Sequence, residues 1–407
     1  MKMIEKIAII GGGAAGFFAA VNLADLAEQR GRSVAITIYE ATGELLHKVA
    51  ISGGGRCNLT NSFKNYSIKE AYPRGANVIK KGFKEFDYRQ TYDWFEANGV
   101  ELVTQEDGCV FPNSQDAQEI RTLLMQMANQ RQIVIKLRHR VSQIEKCKDS
   151  YRLYFKQGED VFDKVVVAVG GCRGSIEEVL GELGEVVVKP LPSLFGFRTQ
   201  DNFIKLLSGI VVDKVGVVLQ GTKLKSSGAL LITHQGLSGP AILKMSSYAA
   251  RILDEMGYEC KISINWVCQS EVVVREELEA IVKEHSKKLL INYRPFDLTS
   301  RLWLLLLDRA SVSKERKWGE LGAKGINRLI NILTNDEYQI IGRTSHQEEF
   351  VTCGGVSLEG VDISSLESKK NKGLYFAGEI LDIDAITGGF NLQAAWTTGM
   401  IVAKAIV

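Results

Sequence analysis

Three glycines near the beginning of the sequence have the spacing that could hold a phosphate-bearing ligand. Gly11, Gly13 and Gly16 form a G-x-G-x-x-G motif that follows an apolar run, residues 7–10, and opens a helical pattern. In such a turn the glycines allow a tight bend, close approach of the backbone to a pyrophosphate and close packing of helix on strand, while the helix N-terminus offers free N–H groups. These residues therefore predict nucleotide binding.

An acidic residue follows the second predicted strand. The helical pattern continues to about Arg30, an apolar strand covers residues 34–39, and Glu40 comes directly after it. A carboxylate at this place accepts a hydrogen bond from a ribose 2′-hydroxyl and disfavours a 2′-phosphate. The order strand, glycines, helix, strand and acid thus predicts an adenine dinucleotide, with FAD or NAD preferred over NADP.

A second glycine-rich segment, residues 44–61, could line the same ligand. Gly53 to Gly55 stand beside Arg56 and Asn58, as expected where backbone passes close to a ligand. A surface loop with a chance arginine is the alternative interpretation. We take ligand binding as the preferred one.

Few residues offer acid–base or redox catalysis. His234, in the sequence THQG, could be a substrate-side acid or base, although a single His at a strand end is more often structural. Cys57 and Cys353 lie beside glycines but have no sequence-near partner, so packing is favoured over redox activity. The catalytic residue therefore stays unknown, with His234 as a weak candidate.

The elements that must position these residues alternate as in a parallel sheet. Residues 133–137 and 164–169 are predicted strands, the second ending at Gly170 as a central buried strand would. Residues 141–145 and 151–155 indicate a small antiparallel meander. Ligand crevices in such folds lie at the carboxyl ends of the strands.

A change of pattern after Pro192 predicts a second domain, because the residues that follow carry no new nucleotide motif. The last segment, residues 373–407, contains a strand, a glycine-rich loop and a helix, which is too little for a separate domain, so it should return to the first sheet. The predicted domains are a discontinuous FAD-binding domain, residues 1–190 and 346–407, and an insert, residues 191–345, that is β-rich over 191–270 and helical over 271–345.

Composition limits the partners. The 407 residues are 45% hydrophobic and 24% charged with a formal net charge of +2, which predicts a soluble globular protein without a nucleic-acid or membrane partner. The strongest apolar run, residues 302–307, is far too short to cross a bilayer, and Glu5 and the glycines after it argue against a signal peptide. Seven cysteines without metal-ligand spacing favour a reducing, cytoplasmic location and no metal site.

Five segments of the sequence resemble the HI0933-like flavoproteins, also called the BaiN or aminoacetone oxidase family. They are HKVAISGGGRCNLTN (47–61), VVVAVGG (165–171), THQGLSGPAIL (233–243), VTCGGVSL (351–358) and GLYFAGEILDIDAITGGFNLQAAWTTG (373–399). The resemblance covers nearly the whole chain. It implies an α/β fold with a discontinuous, glutathione-reductase-type FAD-binding Rossmann-like domain and an inserted domain.

The resemblance also implies which residues contact FAD. The glycines of the first motif would face the pyrophosphate, Glu40 the adenosine ribose, and Val141 the adenine through its backbone. Gly378 and Glu379 would hold the pyrophosphate and ribityl chain, and residues 388–391 would lie at the isoalloxazine ring. The expected cofactor-binding residues are Gly11, Gly13, Ala14, Ala15, Gly16, Glu40, Lys48, Ser52, Gly55, Arg56, Asn58, Thr60, Val141, Ala168, Gly170, Gly378, Glu379, Asp384, Gly388, Gly389, Phe390, Asn391 and Leu392.

The sequence departs from the family pattern at three positions. Cys109 stands where an Arg is usual before Val-Phe-Pro, Ala385 where Gly is usual, and Phe390 where Tyr is common. Loss of the Arg changes a charged contact, so the substrates of relatives are a poor guide to the substrate of this chain.

Together these observations predict an FAD-dependent oxidoreductase. It would transfer a hydride between flavin N5 and a small organic substrate, with NAD(P)H or O2 as a candidate second partner. A flavin-binding sensor or interaction protein is one alternative. An RNA-modifying flavoenzyme is another, disfavoured because the insert lacks a strong basic run. The substrate, the electron donor and the oligomeric state stay open.

Overall fold

A computed structural model describes residues 4–172, 174–344 and 351–407. The chain clusters into two units, one formed by Met1–Pro192 together with Phe350–Val407, the other by Ser193–Glu349. We call these the first and the second unit. The expected boundary at 190/191 stays a prediction, and the one at 345/346 lies outside the described residues.

The strands of the described residues follow the chain in this order: β1 Glu5–Ile10, β2 Val34–Tyr39, β3 Thr60–Asn61, β4 Leu102–Thr104, β5 Cys109–Pro112, β6 Val134–Lys136, β7 Val141–Lys146, β8 Tyr151–Phe155, β9 Gly158–Phe162, β10 Lys164–Val167, β11 Val187–Ser193, β12 Phe197–Thr199, β13 Val211–Leu219, β14 Lys225–Ile232, β15 Gly236–Ser238, β16 Glu259–Asn265, β17 Asp336–Arg343, β18 Val351–Val356 and β19 Leu374–Phe376.

The helices are α1 Ala14–Gln29, α2 His47–Gly55, α3 Ile68–Ala71, α4 Ala76–Gly82, α5 Tyr88–Ala97, α6 Ala117–Gln130, α7 Ser175–Glu182, α8 Asn202–Lys205, α9 Pro240–Tyr248, α10 Ala250–Glu255, α11 Glu271–Glu284, α12 Ser300–Arg309, α13 Gly322–Thr334 and α14 Phe390–Ile406. Short 3-10 helices lie at Leu290–Asn292, Trp318–Glu320, Leu358–Gly360 and Gly378–Ile380.

The first unit is built on a five-stranded parallel sheet in the order β19-β10-β1-β2-β6. Strand β1 is central because its apolar residues, Ile7 to Ile10, are buried, as expected for a strand covered on both faces. Parallel strands place their carboxyl ends at one edge, so the loops after β1, β2, β10 and β19 share that edge. This arrangement confirms the predicted α/β fold.

Helices α1 and α14 pack against each other through small residues. A Cβ on Gly399 would lie 3.0 Å from the carbonyl oxygen of Ala15 and 3.2 Å from the amide nitrogen of Ala19. A Cβ on Gly16 would lie 2.1 Å from the carbonyl oxygen of Gly11. Larger residues would separate helix from helix, or helix from strand, in a closely packed interior. Strand β19 and helix α14 therefore belong to the first sheet and its helix layer.

Three small sheets accompany the main one: β3-β5-β4, β7-β8-β9 and β11-β18. The meander predicted from two strands has a third, β9, which the pattern did not reveal because GEDVF is mostly polar and exposed. Helix α6 is capped by Asp116, whose carboxylate accepts the Gln118 N–H at 2.9 Å. The chain first makes a turn in which the Gln115 N–H donates to the Pro112 carbonyl at 2.9 Å, and the helix begins after it.

The second unit is a closed barrel, β12-β15-β14-β13-β16-β17, whose apolar core it shares with helices α9 to α13. The segment predicted to be helical ends in β17, where Asp336, Tyr338 and Ile340 are buried in alternation, so the helical prediction fails there. Two helices within the β-rich part of the sequence, α9 and α10, meet at Ala249.

None of the helices among the described residues combines the length and the apolar character needed to cross a bilayer.

Candidate functional site

The loop between β1 and α1 leaves a helix N-terminus uncapped and open. Gly13 is the N-cap of α1, no side chain bonds to the first turn at Ala14 and Ala15, and that turn contains no acidic residue. A Cβ on Gly13 would meet no heavy atom within 4 Å, whereas one on Gly11 would lie 2.3 Å from the carbonyl oxygen of Ala168. A helix end of this kind carries about half a positive charge. The open space and the free N–H groups fit the pyrophosphate of a dinucleotide.

Glu40 lies beside this loop at the end of β2. Its Oε2 accepts the Gly12 N–H at 2.9 Å, and its Oε1 accepts the N–H and the hydroxyl of Thr42, each at 2.8 Å. The Glu40 carbonyl accepts the His139 N–H at 2.8 Å, which brings the chain just before Val141 to the same place. Because a carboxylate has about four acceptor positions, Glu40 retains capacity to accept from a ribose.

A second carboxylate, Glu379, lies near the carboxyl ends of β10 and β19. Its Oε2 accepts Lys48 Nζ at 2.6 Å, and its Oε1 accepts the Thr352 N–H at 2.8 Å. A Cβ on Gly171 would lie 3.4 Å from Glu379 Oε1, and one on Gly170 would lie 3.9 Å from Oε2. Lys48, Gly170 and Glu379, which the family resemblance implies as cofactor-binding residues, therefore lie in one cluster.

Gly378 connects this cluster to α1 and α14. It has φ of +77°, and a Cβ there would lie 2.7 Å from the Cβ of Ala15. Its N–H donates to Thr398 Oγ1 at 2.8 Å, and Thr398 donates to the carbonyl of Ala394 at 2.6 Å. Sequence reasoning missed Thr398 because a Thr within a helical pattern carries no local sign of a distant partner.

The N-terminus of α14 is a second uncapped helix end. Its N-cap, Gly389, has φ of +87°, and a Cβ there would lie 2.3 Å from the carbonyl oxygen of Thr60. Asn61 Nδ2 donates to the carbonyl of Gly388 at 2.9 Å. The Asn58 amide, oriented to satisfy both neighbours, donates to the Thr60 carbonyl at 3.1 Å and accepts the Gly389 N–H at 3.3 Å. The predicted residues of β3 and of the 388–389 turn thus meet, and Asn61 joins them.

The loop before α14 is held by side chains within the protein. Asn391 exchanges two hydrogen bonds with the backbone of Ala385, each 3.0 Å long. Asp384 is fully buried and forms a two-contact ion pair with Arg74, whose side chain is 10% exposed. Leu392 follows half-buried in the first turn of the helix. The described contacts of Asn391 and Asp384 fix the loop that carries the glycines.

Phe390 lies in an aromatic cluster at the same helix end. Its ring meets those of Phe63, Tyr66 and Tyr72 edge-on, at centroid distances of 5.0, 5.6 and 6.2 Å. The Tyr72 hydroxyl donates to the Phe390 carbonyl at 2.7 Å. These contacts anchor the first turn of α14, and such edge-to-face ring pairs stabilise beyond simple burial.

The second glycine segment forms a distorted end of α2. Residues 53–55 have φ of +59°, +70° and +86°. A Cβ on Gly53 would lie 2.9 Å from the amide nitrogen of Asn58. The Ser52 hydroxyl donates to a backbone carbonyl of α2 at 2.9 Å, and Arg56 Nε donates to the Gly53 carbonyl at 3.0 Å. The segment therefore packs its backbone against the chain that leads to the 388–389 turn.

The thiols at the site are protonated at neutral pH. Burial raises the pKa of Cys57 to about 12 and the pKa of Cys109 to about 11. Cys353 is also fully buried, and none of the seven cysteines, all of them within the described ranges, forms a disulfide. Since the thiolate is the reactive form of cysteine, these environments support packing rather than redox chemistry.

His234 belongs to a different unit from every predicted FAD-binding residue. It is exposed in the turn between β14 and β15 of the second unit. Thr233 and Gly236 close that turn through reciprocal backbone hydrogen bonds of 2.8 and 3.2 Å. Within the described ranges, no group of three His, Cys, Asp or Glu residues is placed to hold a metal ion.

Comparison with known proteins gives a match over almost the entire chain. The sequence model described as HI0933-like protein Rossmann domain matches residues 5–405. A ribosomal RNA dihydrouridine synthase of Haemophilus influenzae is 28% identical over 426 residues, covering 100% of this chain and 99% of that protein. A ribosomal RNA dihydrouridine synthase of Escherichia coli is 27% identical over 418 residues, with coverage of 100% and 99%.

A third relative has a different name. A 3-dehydro-bile acid delta(4,6)-reductase of Clostridium scindens is 26% identical over 420 residues, covering 99% of each chain. The family model and the three relatives span both units, and the parallel sheet of the first unit agrees with the Rossmann domain that the family description names. The chain belongs to the HI0933-like family of FAD-dependent oxidoreductases.

Proposed function

We propose that this oxidoreductase reduces an electron-poor carbon–carbon double bond of a small organic substrate. The names of the relatives support this type of reaction, although their substrates differ, because dihydrouridine is uridine with its ring double bond reduced and a delta(4,6)-reductase acts on carbon–carbon double bonds. Such a reduction adds a hydride to one carbon and a proton to the other. Bound FAD would supply the hydride from N5, with NADH or NADPH as the source of electrons.

The observation that carries the cofactor assignment is the pair of uncapped helix N-termini in the first unit. Helix α1 begins after Gly13 and α14 after Gly389, each without a side-chain cap and without an acidic residue in its first turn. Gly399 of α14 touches α1 at Ala15. At about 1.5 Å per residue, Phe390 lies roughly 13 Å farther along α14. Two positive helix ends separated in this way suit the pyrophosphate at one end and a negatively charged reduced flavin at the other.

The side chains around these helix ends would bind and orient the cofactor. Glu40, fixed by the Gly12 N–H, would accept from the adenosine ribose. Glu379, paired with Lys48, would lie along the chain between pyrophosphate and ring. The 388–389 turn, pressed against β3, would bring the α14 backbone to the ring itself. These assignments of individual residues are part of the proposal.

Anaerobic reoxidation of the reduced holoprotein tests the proposed reaction. The reduced protein is mixed with an α,β-unsaturated ketone, with uridine and with the saturated analogue of each, while the visible flavin absorbance is followed. We expect an unsaturated compound to restore the absorbance and to yield its saturated product. Restoration by O2 alone would contradict the proposal. Mixing the oxidised protein with NADH and with NADPH identifies the donor from the bleaching of the flavin.

An RNA substrate is a second candidate, and one feature of the second unit favours it. Backbone hydrogen bonds from Leu290 to Arg316 and from Trp318 to Lys288, 2.9 and 3.0 Å long, pair two segments that are separate in sequence. The pairing brings together exposed cations that the sequence distributes over both segments: Lys287, Lys288, Lys314, Arg316 and Lys317. Two of them, Lys314 and Lys317, lie 3.9 and 3.8 Å from the carboxylates of Glu315 and Glu320. The formal net charge of the whole chain, +2, does not show that cations are concentrated at one place.

The binding constant for a ribosomal RNA fragment, measured at several salt concentrations, tests whether RNA is the substrate. Phosphate contacts make the binding constant fall steeply with salt, and loss of contacting lysines reduces the slope. We expect the double variant Lys287→Ala, Lys288→Ala to bind more weakly and with a smaller slope if RNA is the substrate. Equal binding by the variant and the natural protein would remove this surface from consideration.

A further inference from the structure

Arg56 carries a positive charge that the described part of the first unit does not neutralise. It is exposed, and no carboxylate among the described residues forms an ion pair with it. The neighbouring cations of the site differ: Lys48 pairs with Glu379 at 2.6 Å, and Arg74 pairs with the buried Asp384. An isolated cation beside glycine backbone and neutral amides is an attractive partner for an anion.

The Arg56 guanidinium is held in place although it is exposed. Its Nε donates to the Gly53 carbonyl at 3.0 Å, and its central carbon lies 4.4 Å from the centroid of the Phe111 ring. Its Nη1 lies 3.5 Å from Gln115 Oε1, which is a weak contact. The plane of the group is therefore set, while the Nη side remains available. A guanidinium fixed in this way loses little side-chain freedom on binding, and its planar fork matches a carboxylate or a phosphate.

Arg56 belongs to the cluster around the α14 N-terminus rather than to the loop at α1. Residues 54–55 next to it would meet no heavy atom within 4 Å if they carried a Cβ, so this face of the loop is open. Gly53 packs on the amide nitrogen of Asn58, and Asn58 bonds to the Gly389 N–H. The fixed guanidinium and the open face thus adjoin the helix end assigned to the flavin ring.

We propose that the Arg56 guanidinium, stacked on Phe111, binds the anionic group of the substrate, a carboxylate or a phosphate ester, through two parallel N–H donors. The proposal rests on the proposed function, since it names the class of substrate reduced at this site. A carboxylate and a phosphate ester present the same pair of oxygens to the fork. An organic acid and a nucleotide are therefore both admitted, and suitable probes distinguish them.

Anion binding by the oxidised holoprotein is the test. Benzoate, inorganic phosphate and uridine 5′-monophosphate are titrated into FAD-loaded protein, and affinity is measured by calorimetry and by the perturbation of the flavin absorbance. We expect saturable binding of benzoate or of the phosphate probes, which identifies the source of the anion. Arg56→Gln should weaken it on the order of 10- to 100-fold, the range for loss of a charge-assisted hydrogen bond. Arg56→Lys should also weaken it, because a point charge lacks the fork.

Arg89 provides a matched control. It is an exposed arginine of the same unit whose guanidinium carbon lies 5.4 Å from the Tyr88 ring centroid. Arg89→Gln removes the same chemical group from another aromatic ring and should leave the anion affinity unchanged. A parallel loss in this variant would show that general surface charge, and not Arg56, attracts the probe.

The proposal is overturned if no probe binds, if Arg56→Gln binds as tightly as the natural protein, or if Arg56→Lys retains full affinity. If Arg56→Gln loses FAD while its remaining FAD-loaded fraction binds anions normally, Arg56 serves the cofactor, which also overturns the proposal. The titration uses oxidised protein and requires no turnover. Failure of double-bond reduction and failure of anion binding are therefore separate outcomes.

Discussion

Glu40 stabilises the backbone of the glycine loop and is also expected to contact the ligand. Sequence position assigns it to a ribose, and the structure adds that its two oxygens accept N–H groups from Gly12 and Thr42. The carboxylate thus holds the backbone of the glycine loop in the form that leaves Gly13 open. Glu40 therefore sets the shape of the phosphate loop and is also the acid that is expected to contact the ribose.

The substitution Glu40→Ala should therefore lower FAD affinity by about 1.5–3 kcal/mol, the usual contribution of a hydrogen bond to a charged group. Equilibrium dialysis of FAD against the apoprotein measures this. Glu44→Ala is the control, because Glu44 lies in the same loop, is half exposed and pairs with His47 at 2.9 Å. Equal affinities for the two variants would mean that Glu40 does not contact the cofactor.

Asp384 and Arg74 form a buried ion pair in the loop before α14. Removing one partner of such a pair leaves the other charge buried, so Asp384→Asn should cost about 3–5 kcal/mol of unfolding free energy. Glu85→Gln is the control: Glu85 pairs with Lys404 at 3.2 Å at an exposed position, where the expected cost is about 0–1 kcal/mol. Urea unfolding of both variants measures these losses of unfolding free energy. Similar losses would show that burial does not determine how much the Asp384–Arg74 pair stabilises the protein.

Residues of the site differ in how far the sequence could reveal them. The first glycine motif and Glu40 are recognisable because each depends on neighbours within one strand–helix–strand unit. Asp384 was expected to contact the cofactor, yet the structure gives it Arg74, 310 positions away in sequence. A local pattern contains no information about such a partner. The same limit hid Thr398 and Asn61, whose bonds to Gly378 and Gly388 cross the unit.

The strands also differ in how far the sequence could reveal them. Strand β2 agrees with the prediction residue for residue, because VAITIY is β-branched and bounded by polar residues. Strands β9 and β17 were missed, the first because it is polar, the second because its alternation over residues 336–340 follows a long helical stretch. The α/β fold was readable from the sequence, whereas the closure of the second unit into a barrel depends on pairings between distant strands.

Helix α14 should tune the flavin through its N-terminus. In Gly389→Val the new Cβ would collide with the Thr60 carbonyl oxygen, 2.3 Å away, and push the helix end off β3. We expect lower FAD occupancy and a lower reduction potential for the flavin that remains, since the positive helix end stabilises a reduced anion. A redox titration of the purified variant measures both.

Gly99→Val is the matched control for this substitution. Gly99 has φ of +89°, close to the +87° of Gly389, but a Cβ there would meet no heavy atom within 4 Å. Both variants should lose about 1–2 kcal/mol of stability from the left-handed backbone. Gly389→Val should lose more because of the collision, and only this variant should alter the flavin. Normal occupancy and an unshifted potential in Gly389→Val would remove the helix end from the mechanism.

At the scale of the whole molecule, the residues of the candidate site come from both ends of the sequence. This predicts which shortened proteins still bind FAD. Replacing residues 193–349 with a short Gly-Ser linker should leave FAD binding, because β11 and β18, which flank the gap, are neighbouring strands of one sheet. Ending the chain before Gly373 should abolish it, because β19 and α14 are lost. Absorbance spectra of the purified proteins report the result. A truncated protein that remains yellow would show that the terminal segment is dispensable.

The second unit has one topological property that bears on synthesis by the ribosome. Its first and last strands, β12 and β17, are neighbours in the barrel, with Phe197 opposite Arg343. The cost of closing a loop grows with the length of flexible chain between its ends. Once the barrel has folded, its two ends are held together, so less flexible chain separates β10 from β19. This lowers the cost of pairing β10 with β19, which is synthesised much later. Ribosome-bound chains whose residues up to 349 have left the exit tunnel should already resist protease in the second unit, while the first unit, with β19 and α14 not yet available, is digested.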